Sequence, residues 1–218
     1  MIRALIFDFD GVILDTETPE YTSWREVFAS HGAELTMEAW SQGIGAGPGS
    51  FDVYAHLASL TTQTVEVESI RTVRRARNQE LIAAEAILPG VEAWLTDAQR
   101  LGFKLGIASS SPSDWVEGHL TRLGLRQPFE CLRCRDHVTH AKPSPELYVA
   151  VCQGLGVGPS EAMAIEDSPN GISAARAAGL FCVAVPNGIT ALLDLSQADY
   201  RLESLANVSL EGVIAHAP

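Results

Sequence analysis

The stretch Ala4-Leu5-Ile6-Phe7-Asp8-Phe9-Asp10-Gly11 sets four apolar residues in a row directly before two acids and a glycine. So short and continuous an apolar run suits a strand buried on both faces of a parallel sheet. Lys104-Leu105-Gly106-Ile107-Ala108, Ala162-Met163-Ala164-Ile165 and Phe181-Cys182-Val183-Ala184-Val185 repeat the form, each ending in polar or turn residues. Between the runs lie helical patterns. Val91, Trp94, Leu95, Ala98 and Leu101 recur at spacings of three and four, as do Val116, Leu120 and Leu123. Alternating strand and helix predicts an α/β fold with a Rossmann-like, open, mainly parallel sheet.

Residues 16–85 interrupt this alternation. Tyr21, Trp24, Val27, Phe28 and His31 share one helical face, and Val65 through Ala84 is rich in helix formers with no internal Gly or Pro. The reading is a small α-helical cap inserted into a core made of residues 1–15 and 86–218, the chain returning near Leu88-Pro89-Gly90. Gly43, Gly45, Gly47 and Gly49 lack the preceding strand and the Lys-Ser/Thr ending of a phosphate loop, so they read as a flexible cap loop.

The chain of 218 residues is 46% hydrophobic and 19% charged, enough to bury a core and to exclude global disorder. Its formal charge of -12 repels nucleic acid and anionic membranes, so neither is an expected partner. An anionic substrate must then meet local positive charge, and Lys104 and Lys142 are the only lysines. Asp8 breaks the early apolar run too soon for a secretory signal or membrane span, which predicts a cytoplasmic protein with reduced thiols. Cys131, Cys134, His137 and His140 crowd into ten residues, whereas finger-type zinc sites separate their ligand pairs by about a dozen; a short strand, Phe129 to Arg133, followed by a polar loop is expected there instead. A monomer is the default.

Four segments carry chemistry. Strand alternation puts Asp8 and Asp10 on one side at a strand's carboxyl end, where a hard cation such as Mg²⁺ would relieve their repulsion. Ser109-Ser110-Ser111 precede a helix and suit a phosphate oxygen, although a plain N-cap would look the same. Lys142, flanked by prolines, is a cation able to neutralise a transferring phosphoryl group, or else a solvated surface lysine. Glu166-Asp167-Ser168 again ends an apolar run; Asp167 would complete a metal site with Glu166 as ligand or as its support, the alternative being a helix cap by Ser168 or Asp167. All four lie where open α/β sheets bind ligands, at or just past the carboxyl ends of strands.

Asp8-Phe9-Asp10-Gly11, the strand ending in Ser109, Lys142-Pro143 and Glu166-Asp167-Ser168 resemble the four ordered motifs of the haloacid dehalogenase-like hydrolases, over residues 8 to 171. The cap placed after the first motif is most similar to the branch of sugar phosphatases and β-phosphoglucomutases. The resemblance implies Asp8 as nucleophile, forming an aspartyl phosphate, and Asp10 as general acid and then base. It implies Mg²⁺ held by Asp8, the Asp10 backbone carbonyl and Asp167, with Ser109 and Lys142 binding phosphoryl oxygens. The substrate would be a small phosphorylated metabolite read by the cap.

Within that family Asp10 with Asp167 argues against dehalogenation, and the absence of lysine before Lys104 argues against Schiff-base phosphonate hydrolysis. Mutases of the branch carry a His at the position of Glu20 and a cap arginine near the Gly-rich loop, but no Arg lies between Arg25 and Arg71. Hydrolysis by water is therefore favoured over transfer to a sugar hydroxyl. Arg77 is a candidate for a distal substrate group, although the cluster Arg71, Arg74, Arg75 and Arg77 also reads as a solvated helical face. Glu20, Trp24 and Ile44 are further specificity candidates. A receiver-type signalling domain would lack the insertion, and a protein that only binds phosphometabolites would not need Asp10.

Overall fold

The structure, a computed structural model, describes residues 1–43 and 51–218. Ile44, Gly45, Gly47 and Gly49 therefore lie outside the described residues.

Strands β1 (Ala4–Phe7), β2 (Lys104–Ala108), β3 (Cys131–Arg133), β4 (Ala162–Glu166), β5 (Phe181–Ala184) and β6 (Tyr200–Arg201) form one sheet in the order β3-β2-β1-β4-β5-β6. Every pairing is parallel. The central strand β1 is wholly buried, as the apolar run requires. Its side chains alternate between two cores: Leu5 and Phe7 join Trp94, Leu95, Val116 and Leu120, while Ala4 and Ile6 join Leu147, Val151, Ile172 and Ala175. Helices α5 (Val91–Arg100) and α6 (Ser113–Arg122) thus cover one face, α7 (Glu146–Leu155) and α8 (Pro169–Ala178) the other. A short α9 (Leu210–Ile214) adds Leu210 and Val213 to the first core. The expected short strand at 129–133 is observed over Cys131–Arg133, followed by a single 3-10 turn.

Helices α1 (Glu17–Ser30), α2 (Met37–Ser41), α3 (Val53–Leu60) and α4 (Val67–Ala84) fall between β1 and β2. They share a third apolar cluster, in which Tyr21, Trp24 and Phe28 meet Leu35, Leu57, Ile70 and Ile189. The two chain passages into this layer are themselves paired: Leu14 and Ile87 form an antiparallel bridge, and Leu88 N–H donates to Ile13 C=O at 3.0 Å. Among the described residues no helix is long and apolar enough to cross a membrane.

Because β2 and β4 flank β1, the chain leaves the sheet centre in opposite directions on its two sides. The carboxyl end of β1 opens at this switch point, where loops diverge and leave a crevice.

Candidate active site

Past its last strand residue, β1 delivers Asp8 into the crevice. Lys142 Nζ lies 2.9 Å from Asp8 Oδ1 and 2.6 Å from Glu166 Oε1, with only 4% of its side chain exposed. The peptide that follows it, Lys142-Pro143, is cis. Glu166 is completely buried. Its Oε1 also accepts from the Tyr148 hydroxyl at 2.6 Å, and its Oε2 from Asp167 N–H and Ser168 Oγ at 3.2 and 3.3 Å. Of the two places expected for Glu166, direct ligand or support, these donors favour support: both oxygens are engaged in holding Lys142 and the following turn.

Asp167 is buried, and Asn187 Nδ2 donates to its Oδ2 at 2.9 Å. Gly11, at φ +77°, brings the backbone so close that a Cβ would stand 2.1 Å from that same oxygen. A Cβ on Gly171 would lie 2.0 Å from the Glu166 carboxyl. The turns after β1 and β4 thus carry glycine where the carboxylates need the volume. Ser168 caps α8 by accepting from Gly171 N–H at 3.1 Å, as its alternative reading proposed.

One carboxylate oxygen from each of Asp8, Glu166 and Asp167 lies within 4.8 Å of the others. Against these three carboxyl groups stands the single ammonium of Lys142. Burial, together with Glu166 and Asp10, outweighs Lys142 and pushes the Asp8 carboxyl up to about 8. Burial, Glu166 and Asp8 likewise hold Asp167 well above the usual carboxylate range. For Lys142 burial acts downward, but Asp8 and Glu166 prevail and raise it above its ordinary value. An excess of buried negative charge among oxygen donors fits a hard divalent cation, with Asp8 and Asp167 the carboxylates left to bind it.

Asp10 shares the cavity with Asp8 but has its own partners. Its Oδ1 accepts from Trp115 Nε1 at 3.0 Å, and its Oδ2 from Ser111 Oγ at 2.6 Å and Ser109 Oγ at 3.4 Å. Ser109 is fully buried and its Oγ also accepts from Ser111 N–H at 3.0 Å, so this hydroxyl supports the loop and does not face the cavity. Ser110 and Ser111 do line it, in a volume of about 650 Å³ together with Asp8, Asp10, Lys142, Asp167 and residues of α1 to α4.

Arg77 is not among the lining residues. Its guanidinium lies 2.9 Å from Glu26 and 3.3 Å from Glu80, on the outer side of α4, so the expected substrate contact is corrected. Arg74, one turn earlier, is the arginine turned inward: it lies 2.6 Å from Glu20 with 12% of its side chain exposed, its guanidinium 4.9 Å over the Trp24 ring. The solvated-face reading therefore fails for Arg74. At the Cys131–His140 segment, His137 Nδ1 accepts from Cys134 N–H at 3.0 Å and His140 pairs with Glu146 at 2.6 Å.

Trp115, Tyr148, Asn187 and Asn78 have no place in the sequence reading. Asn187 was within reach, as a polar residue just beyond the carboxyl end of β5. The others sit on helices, where one sequence carries no signal of which polar atom turns toward the crevice.

Residues 2–179 match the sequence profile of haloacid dehalogenase-like hydrolase. The chain belongs to this family of hydrolases. Among its relatives, YhcW of Bacillus subtilis (strain 168) is 44% identical over 216 residues, 99% of this chain and 98% of that protein. The validoxylamine A 7'-phosphate phosphatase of Streptomyces hygroscopicus subsp. limoneus is 32% identical over 211 residues, 95% and 96% of the two chains. The crystal structure of β-phosphoglucomutase (pgmB) from Clostridium difficile superposes with a TM-score of 0.74 at 28% identity, covering 100% of this chain and 97% of its own.

Proposed function

We propose that this chain is a cytoplasmic, Mg²⁺-dependent phosphatase of small phosphate monoesters, sugar phosphates or similar metabolites. The observation that carries the reading is the Asp8 carboxylate paired at 2.9 Å with a buried lysine, on the wall of a cavity that Asp10 and Asp167 also line. The family and a relative named as a phosphatase support it.

In the proposed reaction Asp8 attacks phosphorus, forming an aspartyl phosphate as the bond to the leaving oxygen breaks. Asp10 gives its proton to that alkoxide. It then takes a proton from water, whose oxygen displaces the Asp8 carboxylate and leaves as inorganic phosphate. Lys142 and the loop at Ser110 bind the phosphoryl oxygens, and Glu166 with Tyr148 keeps the ammonium in place. Asp8, Asp167 and the Asp10 backbone carbonyl would hold Mg²⁺, which supplies charge neutralisation between the carboxylates and the phosphoryl group. Residues 16–85 act as a cap over the core of residues 1–15 and 86–218, excluding water and reading the leaving group.

Purified protein with Mg²⁺ is expected to release inorganic phosphate from small monoesters. Asp8→Asn should lower release on the order of 10⁴-fold or more, to near background. Unchanged turnover in that variant removes Asp8 as nucleophile. A phosphomutase reading, suggested by the 28% identity to a β-phosphoglucomutase, predicts isomer formation from β-glucose 1-phosphate in place of net phosphate release.

A further inference from the structure

The cavity has a floor that holds phosphate and a roof that must receive whatever the phosphate leaves behind. Among the described lining residues Lys142 is the sole cation, and it belongs to the floor. The roof offers Glu17, Glu20 and Asn78 as polar groups, with Trp24, Trp40 and Phe51 as aromatic walls. The one inward arginine, Arg74, is already paired with a carboxylate. Its guanidinium is bound through Nη1 to Glu20 at 2.6 Å and to Ser23 Oγ at 3.2 Å, its Nε is buried without a partner, and it does not line the cavity.

Two further observations describe what the roof lacks. Asn78 donates its amide to Glu20 Oε2 at 2.6 Å, which leaves its Oδ1 buried without a partner. Trp40 Nε1 is likewise buried and unpartnered. Burying such groups unmet is costly, so a ligand that satisfies them gains affinity. Asn78 Oδ1 asks for a donor and Trp40 Nε1 for an acceptor, and a hydroxyl supplies both. The Glu17 side chain faces this cavity with no hydrogen-bond or ion-pair partner among the described residues, and its neighbours Asp10, Glu20 and Asp15 are acids that supply no donor. It too asks for a donor.

Resting on the phosphatase reading, we infer that the roof formed by Glu17, Glu20, Trp40 and Asn78 selects a polyhydroxylated or amino-bearing leaving group and rejects one that carries a second phosphate or a carboxylate. Hydroxyl and ammonium donors satisfy Glu17 and Asn78, and C–H faces lie against the aromatic walls. A second anion would meet the Glu17 carboxylate and a Glu20 whose one cation, Arg74, is already paired with it, a repulsive element that sharpens specificity.

Matched substrates test this: a hexose 6-phosphate, its 6-phosphate 2-amino analogue, the corresponding 1,6-bisphosphate, and p-nitrophenyl phosphate as an indicator without hydroxyls. With Mg²⁺, kcat/KM for both monophosphates should exceed that for the bisphosphate on the order of 100-fold, and the amino analogue against its parent separates ammonium from hydroxyl donation. Glu20→Gln frees Arg74 while keeping an acceptor for Asn78, and should narrow the gap roughly 10-fold in favour of the bisphosphate. Glu17→Gln should narrow it as well, independently of Arg74. Calorimetric titration of the same ligands into Asp8→Asn protein reads binding without turnover and should show the same order. Equal kcat/KM and equal affinity for mono- and bisphosphate overturn the inference. Absence of hydrolysis from every substrate, with the binding order intact, overturns the phosphatase reading and leaves the selectivity of the roof standing.

Discussion

The indole Nε1 of Trp115 donates to Asp10 Oδ1 at 3.0 Å, tying the first turn of α6 to the second acid of the β1 loop. Ser111 holds the other oxygen at 2.6 Å, so the carboxylate is fixed from two directions. Trp115 is itself set by an edge contact with His119, ring centroids 4.3 Å apart. The carboxylate assigned to proton transfer is therefore aimed by groups outside the motifs that announce the family.

Trp115→Phe keeps the ring and removes the donor. Hydrogen bonds to charged groups contribute about 1.5–3 kcal/mol, so kcat should fall about 10- to 100-fold while KM changes little. The indole N–H resonance assigned to Trp115 should shift in Asp10→Asn protein. An unmoved resonance, or full activity of the Phe variant, would show the contact to be incidental.

Lys142→Met leaves Asp8 and Glu166 buried without their cation. Breaking a buried pair from one side costs about 3–5 kcal/mol. Denaturant titration should show that loss, and Glu166→Gln in the same background should recover part of it by removing the stranded Glu166 charge.

The Asp8 carboxyl, raised to about 8 in the folded protein from an ordinary value near 3.8, holds a proton that the unfolded chain has already lost across that interval. Its contribution to stability is complete below the unfolded value and disappears as pH rises through about 8. The melting temperature of metal-free protein should therefore decline from pH 5 to pH 8, and added Mg²⁺ should raise it more at pH 8, where the carboxylates are ionised. An equal Mg²⁺ increment at both pH values would contradict this.

Gly11→Ala places a methyl where Asp167 Oδ2 and the Asn187 amide now sit. The chain there is at φ +77°, so the substitution adds backbone strain to the collision. Mg²⁺ affinity, read by the concentration giving half-maximal activity, should weaken about 10- to 100-fold. Unaltered Mg²⁺ dependence would mean that Asp167 is not a ligand.

Much of the fold was legible because β1, β2, β4 and β5 are buried on both faces, and such strands must be apolar throughout. Asp8 and Asp167 stood out for a related reason: charge immediately after such a run has to be put to use; Lys142 stood out as one of only two lysines, set beside prolines. Strand β6 was not legible, since two residues carry no periodicity. On α4 the sequence could not separate Arg74 from Arg77. Both belong to one basic cluster, and only the position of Glu20 and Trp24 on α1 decides that the first turns inward and the second outward. The partners of Asp10 were hidden similarly, because Trp115 looks like any aromatic residue near a helix start.

The bridge between Leu14 and Ile87, with the Leu88 to Ile13 bond beside it, makes the two crossings into the helical layer a single ribbon and not a pair of independent tethers. A ribbon twists more readily than it shears, since sliding one crossing along the other breaks both contacts while rotation about their common axis breaks neither. Whatever displacement admits a reactant is thereby confined to a tilt, and lengthening either crossing by a residue would forfeit the alignment of Glu17 and Glu20 above the nucleophile.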